Sequence, residues 1–390
     1  MLSAQTPLTL QEAVATAIRQ HPVLQASEQR IRVAEGFRRQ AGLMLNPRLV
    51  LQTENTRPYG PFVWLRDTDN FAYLQQTFET GGKRERRVEL ASAGQRRAEL
   101  ERELIERQIA NRVKQAYWQA AGAQLALRLL DQDVARFDEI IRYHQARVTE
   151  GAIAEVDLIR VRVEGGRVAV SRNAASLDAE RARIAMQREM AAVEFPDLTF
   201  TSPLEPLPEV PVLNVSEILD QRPEVRIARQ MVDQARANLR LQQAQSKPNV
   251  DALFGYKRAT GFDSMLGGVQ VDLPFANRNQ GNISAAVSEI RAAESSLAAT
   301  EALVRAEVEA ARREVEIRRQ QLGGQLRAMR EQAAEAARIA EASYREGATD
   351  LLRFLDAQRL RIETQLLYTR TLAEYRQSYA VLEAAMGVAP

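Results

Sequence analysis

The chain has 390 residues, 53 lysines and arginines against 51 aspartates and glutamates, and only 6% aromatic side chains. Interspersed and nearly balanced charge excludes the basic footprint of a nucleic-acid binder, and the absence of cysteine excludes disulfides, thiolate metal sites and a lipid-bearing N-terminal cysteine in the sequence as given. No run approaches the roughly 18–20 apolar residues of a spanning helix. Met1-Leu2-Ser3 leads to Leu8-Thr9-Leu10 with no signal-peptide apolar stretch, which leaves a cytoplasmic protein or a mature form.

Thr9 with Glu12 reads as a capping box opening a short helix through about Gln20. A second helix is expected over Pro22–Leu45, stopped by Pro47. A hairpin follows at about 47–79. Its first strand alternates Leu49, Leu51 and Thr53 with Arg48, Gln52 and Glu54. Its loop, Arg57–Thr68, carries Tyr59, Phe62 and Trp64, and its second strand at about 69–79 presents Phe71 and Tyr73 while Leu74 and Phe78 blur the alternation.

Lys83–Val148 contains no proline and is helical in pattern throughout, ~100 Å long if straight. Its distal end is a heptad seam of Leu130, Val134, Phe137, Ile141, His144 and Val148. Thr149-Glu150-Gly151 is a tight reversal, and a return helix runs over about Glu155–Val193. Residues 194–222 form a linker with Pro196, Pro203, Pro206, Pro208 and Pro211, too stiff and donor-poor for a helix.

The pattern then repeats. His21-Pro22 and Asn46-Pro47 bracket the first hairpin's leading helix, and Arg222-Pro223 and Lys247-Pro248 follow 201 positions later. Glu150-Gly151-Ala152 recurs as Glu346-Gly347-Ala348. The second copy predicts a helix over 223–246, strands over 248–258 and 264–274, and a long helix over 281–345. That helix carries a seam of Leu322, Leu326, Met329, Ala333, Ala336 and Ala340, and a final helix covers Asp350–Met386. The repeats are therefore 1–193 and 223–390, with turns near 149–153 and 346–350. In each copy the two shorter helices sum to the long one, so stacking them end to end beside it puts the strands at one end and the glycine turns at the other.

Strands of about ten residues suit a tilted transmembrane barrel, yet four cannot close, and open edges in lipid cost several kcal/mol per unpaired group. Chains would have to associate, two giving eight strands and three giving twelve. The competing reading is a soluble coiled-coil scaffold with two surface hairpins.

Five segments in register with this duplication resemble the TolC-type outer-membrane efflux proteins. They are Leu8-Thr9-Leu10-Gln11-Glu12-Ala13, Phe78-Glu79-Thr80-Gly81-Gly82-Lys83-Arg84, Leu273-Pro274-Phe275-Ala276-Asn277-Arg278-Asn279-Gln280-Gly281-Asn282 and the two glycine turns. The middle two are most similar to the subgroup serving heavy-metal pumps of the resistance-nodulation-division class. The resemblance implies a mainly α protein with a transmembrane β-barrel: a homotrimer closing twelve strands in the outer membrane of a Gram-negative bacterium, continued by a periplasmic helical tunnel. It also implies a belt at 194–222, a periplasmic adaptor docked at Glu150, Gly151, Ala152, Glu346, Gly347 and Ala348, and an inner-membrane pump. Ducts of the same family serving organic drugs or protein secretion are the near alternative.

The family's closed tunnel end is narrowed by acidic rings and by tyrosine and arginine contacts. Counted from the turn glycines, Asp157 and Asp356 stand at acidic positions and Tyr344 at the tyrosine. Arg353 replaces an expected aspartate and Thr349 an expected arginine, and Arg353 is expected to pair with Asp157 or Asp356. Asp350 reads as an N-cap. Gly165-Gly166 and Gly323-Gly324 sit mid-helix, where close helix approach or a bend would justify their cost of roughly 1 kcal/mol each. His21 and His144 are the only histidines and lack partners at ligand spacing, so no enzyme chemistry, cofactor or metal site is expected, and His144 reads as a packing residue. Gly81-Gly82-Lys83 lacks the rest of a phosphate loop and reads as a strand-to-helix turn.

Overall fold

The structure, a computed structural model, describes residues 6–56, 60 and 67–388. Tyr59, Phe62 and Trp64 of the first hairpin loop lie outside the described residues. In chain order the elements are β1 (Thr6–Leu8), α1 (Leu10–Gln20), α2 (Pro22–Ala41), β2 (Arg48–Glu54), β3 (Asp69–Phe78), α3 (Lys83–Thr149), α4 (Glu155–Glu189), β4 (Leu198–Phe200), α5 (Val215–Gln221), α6 (Pro223–Gln245), β5 (Val250–Ala259), β6 (Phe262–Val271), α7 (Gln280–Gln321), a π-helical turn (Leu322–Leu326), α8 (Arg327–Arg345) and α9 (Leu351–Ala385). They form two compact units, each drawing on both halves of the sequence. One holds Ser27–Arg102 and Pro223–Glu301, and the other holds the residues up to Ala26, Glu103–Arg222 and the chain from Ala302 onward.

The first of these units carries a four-stranded antiparallel sheet in the order β2-β3-β5-β6. Residues directly opposite one another share a face. Leu49 opposes Leu74, which opposes Phe254; Leu51 opposes Ala72, which opposes Tyr256 and then Met265; Phe78 opposes Val250 and then Val271. One face is thus an exposed apolar band, and at the hairpin end it changes to Thr53, Asn70, Arg258 and Asp263. The other face is more polar but mixed, carrying Gln52, Gln75, Asp251, Lys257 and Gln270 beside Val50, Leu253 and Leu266. Leu74 and Phe78, which blur the alternation in sequence, complete the apolar face. Phe71 and Tyr73 belong to the polar one, with Lys257 over the Phe71 ring at 5.0 Å.

The segment after β3 is held by its own chemistry. Gly81 and Gly82 have φ of +67° and +73°, and a Cβ at Gly81 would sit 2.5 Å from the Lys247 side chain. Glu79 accepts two bonds from the Arg87 guanidinium, and Lys83 donates to Asn249. β5 and β6 join through Thr260 and Gly261, both at positive φ as a tight two-residue hairpin requires, so β6 starts two residues before its predicted position. α2 also ends early, at Ala41: Gly42 and Leu43 donate back to Arg39 and Gln40 carbonyls, closing the last turn before the extended approach to Pro47.

In the second unit the capping box of α1 is present, with Thr9 and Glu12 satisfying each other's backbone N–H groups. α4 ends at Glu189 rather than Val193 because Ala191 turns left-handed (φ +55°) and the chain folds back, its Phe195 and Pro196 carbonyls accepting from Arg183. The proline-rich segment is more structured than its composition predicts. β4 pairs in parallel with β1, and α5 forms beyond the last proline. Tyr117, fully buried, donates its hydroxyl to Leu8 O and accepts from Ser202 N, both at 2.9 Å.

The second long helix is not continuous. The π turn falls on Gly323-Gly324, and neither glycine faces an atom that a Cβ would meet, so a local change of helix pitch rather than close packing accounts for the pair. It adds a residue to the seam. Leu322, Leu326, Arg330, Ala333, Ala337 and Ala340 face inward to varying degrees, while the expected Met329 and Ala336 are exposed. Gly165, by contrast, is a close approach, where a Cβ would lie 3.0 Å from Ile141 Cδ1, and Gly166 is open.

Gly122 of α3 lies against Ala373 of α9, where a Cβ would come within 2.4 Å of the alanine Cβ. Gly122→Ala should therefore destabilise the protein by about 1–3 kcal/mol, since neither methyl can move without its helix. Gly166→Ala should instead stabilise by roughly 0.5–1 kcal/mol from helix propensity. Thermal unfolding of the two variants checks the opposite signs.

Candidate functional site

The turn after α3 closes by two hydrogen bonds, Gly151 N to Val148 O at 2.9 Å and Ala152 N to Arg147 O at 2.8 Å. The turn after α8 repeats them, Gly347 N to Tyr344 O at 3.1 Å and Ala348 N to Ser343 O at 2.8 Å. Gly151 and Gly347 take φ of +71° and +73°, the left-handed conformation this closure needs. Glu150, Gly151, Ala152, Glu346, Gly347 and Ala348 are all exposed. Asp350 caps α9, its carboxylate accepting from Arg353 N at 2.8 Å, as expected.

Behind the turns, Leu130, Phe137, Val161, Val168, Leu351, Phe354, Leu355 and Ile362 form a buried cluster from α3, α4 and α9, with Tyr344 of α8 packed against it. His144, 1% exposed, uses both ring nitrogens at 2.8 Å: Nδ1 bonds the Ile140 carbonyl and Nε2 meets Tyr344 Oη. A carbonyl can only accept, so the ring carries its proton on Nδ1 and Tyr344 donates to Nε2. His144 stacks on Tyr344 (centroids 5.5 Å, planes 10° apart), and Tyr344 stacks on Phe354 (5.2 Å, 9°). Burial, then the nearby Asp157 carboxylate, holds the Tyr344 hydroxyl above its ordinary pKa, which keeps it a donor.

The structure thus brings Asp157 and Tyr344 of the predicted gate into one neighbourhood. Arg353 goes elsewhere: its guanidinium lies 3.8 Å from Asp350 and makes no ion pair with Asp157 or Asp356 among the described residues. The reason is geometric. The cap holds Asp350 one turn before Arg353 on the same face, and Arg353 is exposed. Asp157 has Arg160 at 3.8 Å, and Asp356 is exposed near Arg359. The sequence pattern of the outer membrane efflux proteins matches residues 13–192 and 214–388.

The chain belongs to the outer membrane efflux protein family. It is 24% identical, over 98% of its length and 91% of the relative's, to the cobalt-zinc-cadmium resistance protein CzcC of Cupriavidus metallidurans. A membrane protein from Pseudomonas aeruginosa shares the fold, with a TM-score of 0.81 at 18% identity over 97% of this chain and 90% of that one. CusC, whose structures concern transmembrane channel formation, gives 0.79 at 16% identity over 97% and 92%.

Sequence reasoning on this efflux protein missed the His144–Tyr344 bond and Phe354. The one available signal was a histidine in an otherwise apolar seam, which needs partners for two polar atoms when buried. Asp350→Ala should cost about 1 kcal/mol and speed amide exchange in the first turn of α9. Exchange measured by mass spectrometry over residues 350–356 checks this.

Proposed function

We propose that this outer membrane efflux protein is the exit duct of a tripartite pump. On this reading it works as a homotrimer that closes twelve strands in the outer membrane of a Gram-negative bacterium. It conducts substrate passively from a periplasmic adaptor and an inner-membrane resistance-nodulation-division pump. The observation that carries the proposal is the sheet. It has one apolar face and one richer in polar side chains, and among the described residues its outer strands β2 and β6 are each paired on one side only. An apolar band suits lipid and a polar face suits an aqueous lumen. Unpaired strand edges in lipid require neighbours, and three copies of four strands supply them. Heavy-metal cations are the proposed cargo, supported by the similarity to CzcC. A detergent-solubilised preparation should be trimeric by native mass spectrometry, and a monodisperse monomer stable without detergent would overturn the assembly.

The exposed turns are the proposed adaptor contacts. Gly151→Pro or Gly347→Pro removes the backbone N–H that closes the turn and forbids its positive φ. Efflux in cells should fall while outer-membrane insertion is unchanged; full efflux in both variants would place docking elsewhere.

Asp157, Tyr344, Arg353 and Asp356 are proposed to form the tunnel's periplasmic gate. Threefold symmetry would make each carboxylate a ring, attracting cations and repelling anions in a narrow mouth. Arg353 makes no ion pair with Asp356 among the described residues, so it neutralises neither ring. Reconstituted channels should be cation-selective, less so at high salt, and Asp157→Ala with Asp356→Ala should abolish most of that preference. Anion-selective single-channel currents would move the constriction away from these residues.

A further inference from the structure

We propose that His144 is a positioning residue of the gate: its Nε2 holds the Tyr344 hydroxyl as a latch that secures α8 to α3 at rest. The inference rests on the gate reading for its consequence, but the latch itself stands on geometry. His144 is almost wholly buried, and both of its nitrogens are committed. The bond joins residues 200 positions apart, and the ring stack continues it to Phe354 at the start of α9. Three helices are therefore tied at one imidazole, just behind both turns.

The latch has a sign. Nε2 accepts only while the imidazole is neutral, because protonation makes both nitrogens donors. The Tyr344 hydroxyl must then turn away, and Asp157 is the acceptor near it. Charged groups of both signs surround the stack. Arg136, Glu139 and Arg147 come from α3, Asp157 from α4, and Glu341 and Arg345 from α8, while α9 contributes the uncharged Phe354. Tyr143, edge-on to the imidazole, adds a ring but no charge.

The test uses the full-length protein in detergent and in planar bilayers, with His144→Phe, Tyr344→Phe, the double variant and His144→Gln. Tyr344→Phe keeps the stack and removes only the hydroxyl, so it separates the bond from the packing. Loss of a buried hydrogen bond should speed amide exchange over residues 340–356 by roughly tenfold and raise resting conductance. The double variant should add nothing to either single one, and His144→Gln, which retains an acceptor, should restore most of the protection. Additive single effects, or no recovery of protection in His144→Gln, would overturn the latch. A wild type that forms no pore would overturn the duct instead, and the exchange measurements would still decide the latch.

Discussion

Backbone hydrogen bonding at the two outer strands is the constraint on which the proposed assembly depends. A four-stranded sheet leaves one edge of β2 and one of β6 unmatched, and beside an apolar band those groups have no water to turn to. The faces must also be right, because a one-residue slip would exchange them. Gly255 contributes to that register. A Cβ there would fall 2.3 Å from both Ala72 O and the Tyr73 Cβ, so β3 and β5 can pair as they do only with glycine opposite Tyr73. The Thr260-Gly261 turn sets the next register in the same way, through its backbone conformation rather than its side chains.

Within the other unit the proline-rich segment solves the complementary problem. Prolines bring carbonyls without N–H groups, so the segment can be tied down only by donors from elsewhere. α9 supplies them. Tyr375 donates to Pro208 O at 2.6 Å, and Arg376 donates to Leu204 O at 2.7 Å and Pro206 O at 2.8 Å while lying over the Trp118 ring. Tyr368 reaches Glu205, and Arg222 closes the segment onto Ala385 O at 2.8 Å. A linker that composition describes as stiff and donor-poor is thereby an ordered strap along α9.

Much of this was legible from pattern because local signals and tertiary demands agree. Thr9 and Glu12, Gly151 and Gly347, and Asp350 each mark a helix end by a mechanism confined to a few residues. The strands were legible in number, but Leu74, Phe78, Phe71 and Tyr73 could be sorted into faces only by pairing, which no single strand encodes. Gate residues carried over by counting from the glycines gave positions without partners. Arg353 turned to its own cap because that carboxylate is one helical turn away on the same face. The α5 helix was hidden by averaging over a segment whose prolines all precede it.

The π turn decides which residues of the second long helix face inward. A strict heptad continued from Leu322 through Met329 and Ala336 would bring Ser343 to the inner face. The extra residue at Gly323-Gly324 moves the seam to Arg330 and Ala337, and so to Tyr344. Arg330 is accommodated by lying 4.1 Å above the Tyr368 ring, where its charge is stabilised by the π face. Twenty residues on, the same shift delivers a tyrosine to the imidazole of His144 instead of a serine too short to reach it by a stacked ring. The first long helix has no such turn and keeps the heptad that places His144. The π turn of the second copy is therefore what brings Tyr344 to the face that meets His144 of the first.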